Sequence, residues 1–68
     1  MKLSERFIKR LCKEHLLGYD IQSKDLEVIE EGVENLTIGK MYFYFVKWFD
    51  KKIYVRSYAS KTRIVELV

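Results

Sequence analysis

The chain has 68 residues, 49% hydrophobic and 34% charged, with a net charge of +3, no proline and a single cysteine, Cys12. Such a length holds one domain, residues 1–68, with a thin core, and such a composition argues against disorder. An internal disulfide is excluded too; the lone cysteine fits a reduced, cytoplasmic compartment.

The apolar run "MYFYFV" is far too short to span a membrane, and "MKLSERFIKR" has no apolar signal-peptide core. No membrane is therefore expected among the partners. Charge is segregated along the chain. Residues 1–19 carry +3, from Lys2, Arg6, Lys9, Arg10 and Lys13 against Glu5 and Glu14. Residues 20–35 carry −5, from Asp20, Asp25, Glu27, Glu30, Glu31 and Glu34 against Lys24. Residues 36–68 carry +5, from five lysines, Arg56 and Arg63 against Asp50 and Glu66. Basic segments thus flank an acidic one.

In "LSERFIKRLCKEHLLG", Leu3, Phe7, Leu11 and His15 recur every four residues, and Ile8, Cys12 and Leu16 widen the stripe. This period predicts a helix over about residues 4–17 with one buried face. Ser4 is placed to cap its start, and Gly18 to end it in the left-handed conformation.

"LEVIE" reads as a short strand, about 26–30, and "EEGVEN" as a turn. The aromatic and β-branched run that follows predicts a strand over about 40–49, with "DKK" as the next turn. Further strands are expected over about 52–58 and 62–68. Connections this short favour an antiparallel meander. The expected class is α+β: an N-terminal amphipathic helix on a small antiparallel sheet of three to five strands.

The segment "LTIGKMY" adds a resemblance. Leu36, Thr37, Gly39, Lys40 and Tyr42 resemble the opening of small SH3-like barrel proteins of bacteria and bacteriophages. The likeness covers residues 26–68 and implies that the sheet curls into a barrel. It implies no function by itself.

Lys40 to Tyr58 holds eight of the chain's ten aromatic residues. Strand alternation divides them. Met41, Phe43, Phe45 and Phe49 fall on one face, and Tyr42, Tyr44, Val46 and Trp48 on the other. The reading taken here seats Phe43, Phe45, Ile53 and Val55 against the helix. Tyr42, Tyr44, Trp48, Tyr54, Tyr58 and Arg56 then share the opposite face. Three accounts of that face stay open. The sheet curls and the tyrosines line a barrel rim; or the face docks a protein, since Tyr, Trp and Arg are frequent interface anchors; or it stacks bases, with lysines and arginines near the phosphates.

Chemistry-bearing constellations are sparse. Cys12 and His15 are three apart on the expected helix and could form a thiol–imidazole pair, but their place on the apolar stripe favours inert packing. Asp25, Glu27, Glu30, Glu31 and Glu34 lack the order of a calcium loop. No phosphate-binding glycine loop occurs. The chain is expected to be a non-enzyme without a metal or cofactor.

The function expected is a small protein-binding module. Size, lack of catalytic chemistry and the barrel resemblance suggest an accessory protein of a bacteriophage or mobile element that modulates a host protein. The alternatives are nucleic-acid binding through Arg6, Lys9, Arg10, Lys13, Lys47 and Arg63, or a structural homodimer.

Overall fold

The computed structural model describes residues 2–68. Its α-helix, α1, spans Glu5–His15, and four strands follow: β1 Leu26–Leu36, β2 Gly39–Trp48, β3 Lys51–Tyr58 and β4 Arg63–Leu67. Single 3-10 turns at Leu17–Tyr19 and Ser23–Asp25 carry the chain from the helix to the sheet.

Ser4 is extended, and its hydroxyl accepts the Phe7 N–H at 3.2 Å, which satisfies one orphan donor of the first turn. α1 buries Ile8, Leu11 and Cys12. His15, read from the periodicity as part of this stripe, is exposed. Gly18 does not end the helix in the left-handed region. Leu16 closes the last turn by donating to the Cys12 carbonyl at 3.1 Å, and the left-handed residue is Asp20, with φ 50°.

The sheet is antiparallel in the order β1-β2-β3-β4. It is open: β1 and β4 are both edges, so the SH3-like barrel implied by "LTIGKMY" does not form. Closure needs repeated bulges or kinks that bend strands back on one another. Here β2 and β3 pair without interruption from Met41–Tyr58 to Trp48–Lys51, and the only register shift lies between Val28 and Glu30 on β1.

β1 is also longer than its sequence suggests. The segment "EEGVEN", read as a turn, continues the strand, and the turn is Thr37–Ile38. An edge strand needs no second apolar face, and glutamates on it discourage pairing with other chains.

α1 lies over β3 and β4. Its buried residues join Leu3, Ile21, Leu26, Tyr44, Val46, Ile53 and Val55 in one core. The even-numbered face of β2 is therefore the covered one, and the assignment of Phe43 and Phe45 to the helix is reversed. The cause is a single residue in the β2–β3 turn. That turn is Phe49–Asp50, not Asp50–Lys52, so Trp48 pairs with Lys51 and Tyr44 with Val55. Because side chains alternate with period two, a one-residue shift sends every ring of β2 to the other face.

Candidate functional site: the uncovered sheet face

The proposed aromatic set is split by this register. Tyr42, Tyr44 and Trp48 belong to the helix-covered side. Tyr44 is 1% exposed, and Tyr42 and Trp48 pack against the core. Tyr54, Arg56 and Tyr58 stay on the opposite face, in register with Phe45, Phe43 and Met41. Phe43 and Phe45, read from the sequence as core, are half-buried members of the uncovered surface.

The rings there form one cluster. Phe45 and Tyr54 stack at 4.7 Å with planes 14° apart. Phe43 stands edge-on to both, 6.4 Å from each. The Arg56 guanidinium lies 5.2 Å from the Tyr54 ring centre, donates to the Tyr58 hydroxyl at 3.3 Å and pairs with Glu66. Its Nε is buried without a partner. On β1, Gly32 sits opposite Phe43, and a Cβ there would fall 2.5 Å from the ring, so the glycine makes room for the aromatic.

Acidic residues line one side of the cluster. On β1, Glu27, Glu30 and Glu34 stand opposite Lys47, Phe45 and Met41, and all three are exposed. None forms an ion pair among the described residues. Glu31, on the other face after the bulge, instead meets Lys2 at 3.0 Å. That contact raises the Lys2 pKa, first through the hydrogen bond and then through charge attraction.

A second apolar group lies where the β2–β3 turn meets the helix exit. Tyr19 packs edge-on to Trp48 at 5.9 Å, and Phe49 lies 5.7 Å from Trp48. Phe49 is 63% exposed and takes φ 56°, a conformation costly for an aromatic residue.

The basic residues named as nucleic-acid contacts do not form one patch: Arg6, Arg10 and Lys13 line a groove with Phe7, but Lys47 lies on the other face of the sheet. Arg6, Arg10 and Lys13 are exposed on α1, Lys9 pairs with Glu5, and Arg10 pairs with Glu14. Lys47 is on the uncovered face opposite Glu27, and Arg63 is on the covered face, 5.0 Å from the Phe7 ring. The thiol–imidazole pair is not formed either. Cys12 is fully buried, and burial pushes its thiol up to about 11, while His15 faces solvent.

Among the described residues no group of three or more His, Cys, Asp or Glu could hold a metal ion. No helix there is long and apolar enough to cross a membrane. No family model matches the sequence, and no curated protein or solved structure matches the chain. The expected role as a bacteriophage or mobile-element modulator of a host protein drew part of its support from the barrel resemblance, which the open sheet removes; the comparisons do not bear on that role.

Phe43, Phe45, Glu30 and Glu34 are the site residues that sequence reasoning missed. The length of the β2–β3 turn was the signal for Phe43 and Phe45, and Phe49 is not a residue that marks a left-handed turn position; Glu30 and Glu34 depend instead on the bulge in β1.

Proposed function

We propose that this chain is a non-catalytic binding protein that docks another protein on the uncovered sheet face. The partner presents an apolar patch to Phe43, Phe45 and Tyr54, with lysine or arginine side chains toward Glu30 and Glu34. The observation that carries this reading is an open aromatic cluster beside an unpaired acidic row. Rings and arginine are favoured anchors, and charge complementarity selects the partner and its register.

Base stacking is less well supported. Phe45 and Tyr54 spend a ring face on each other, and the glutamates of β1 repel phosphates. The buried, protonated Cys12 thiol is in keeping with a protein that performs no nucleophilic chemistry. A single unpaired cysteine fits the cytoplasm.

The test begins with capture from lysate, after nuclease treatment, followed by rebinding of the identified partner in purified form. Tyr54→Ala and the charge reversal Glu30→Lys/Glu34→Lys should each weaken it about tenfold or more. Unchanged affinity in both folded variants contradicts the assignment. Light scattering that shows a dimer broken by the same substitutions would make the partner a second copy.

A further inference from the structure

The loop between β3 and β4 closes one end of the covered face. A cavity of about 290 Å³ lies beneath it, lined by Leu3, Ser57, Tyr58, Ala59, Lys61 and Arg63. Its charged groups are an ammonium and a guanidinium, and no carboxylate is among its walls.

Ser57 and Arg63 stand opposite each other on β3 and β4. Ser57 is 6% exposed and lines the cavity. The Arg63 Nε is buried and unpaired, and Arg63 meets no carboxylate. Phe7 holds one plane of the guanidinium at 5.0 Å, which leaves the N–H edge free. A guanidinium with a buried, unpaired N–H and no anion beside it carries a desolvation cost that a ligand can relieve.

Lys61 is fixed at the rim. Its N–H donates to the Tyr58 carbonyl at 2.9 Å, and Tyr58 in turn donates to the Thr62 carbonyl at 2.9 Å. Lys61 takes φ 70°, an uncommon conformation for a residue with a side chain.

We propose that this cavity binds a small oxyanion, a phosphate or a carboxylate group. Arg63 offers its planar fork of donors, Ser57 donates its O–H from the floor, and Lys61 closes over the rim. This assignment is independent of the sheet-face reading and lies on the opposite side of the sheet.

The test is an NMR titration of the intact chain with inorganic phosphate, and separately with acetate, at constant ionic strength. Saturable shifts are expected at the Ser57 and Lys61 amides and at the Arg63 Nε–H. The anion that saturates them identifies the source of the oxyanion. Arg63→Met, which keeps an apolar contact with Phe7, should weaken binding about tenfold or more. Lys61→Gln, on an exposed loop, should weaken it less and serves if Arg63→Met does not fold. Non-saturating shifts with both anions, or an affinity unchanged in the folded variants, would overturn the proposal.

Discussion

The backbone N–H of Leu3 donates to the phenolic oxygen of Tyr44 at 2.9 Å, across 41 residues of sequence. This bond lets a tyrosine occupy the centre of the core, 1% exposed, with its one polar atom satisfied. It also fixes the segment before α1 across the sheet, beside the exposed Lys2–Glu31 pair. A buried phenol is costly only when its hydroxyl lacks a partner.

Tyr44→Phe should therefore destabilise the chain by about 1–2 kcal/mol, because it strands a buried N–H as well as removing a bond. Urea unfolding of both proteins measures this. A change near zero would mean that water reaches the Leu3 amide.

Phe49 should be replaceable with gain. Its left-handed backbone costs about 1 kcal/mol in a residue with a side chain, and it is 63% exposed, so little burial is lost. Phe49→Gly should raise the urea midpoint with an unchanged slope. A fall in the midpoint would show that the contact with Trp48 outweighs the strain.

Gly32→Ala should lower stability, although alanine ordinarily suits a strand better than glycine. The new Cβ meets the Phe43 ring, and such crowding costs about 1 kcal/mol or more. In a Phe43→Ala background the same change should be neutral or favourable. Equal effects in both backgrounds would remove the coupling.

Cys12 sets an alkaline limit. Its folded pKa is raised to about 11 by burial, from an ordinary value of 9.0. The unfolded thiol therefore loses its proton first. Stability from this group is complete below pH 9 and is lost as pH rises toward 11, by on the order of 2 kcal/mol. Thermal melts at pH 7 and pH 10 should differ more for the natural protein than for Cys12→Ala. Equal differences would place the thiol in water.

The helix was legible because its apolar period is strong and Ser4 is a good cap. The strand character of residues 41–48 was legible from its aromatic and β-branched run. The face on which each ring falls was not. It depends on one residue of turn length, and "WFDKK" carries none of the Asn-Gly or Asp-Gly chemistry that announces a two-residue turn. β1 was hidden for another reason. Its bulge breaks the alternation between Val28 and Glu30, and its charges read as loop. The open sheet was hidden as well, since a short phrase such as "LTIGKMY" describes a hairpin that open and closed sheets can share.

The availability of the aromatic face in the isolated chain is tested most directly by NMR with a soluble paramagnetic relaxation agent. The ring protons of Phe43, Phe45 and Tyr54 should relax strongly, and those of Tyr44 should be protected. Protected phenylalanine rings beside a relaxed Tyr44 would restore the opposite register. Protection of all four would mean that the face is already covered, and either result would contradict the account.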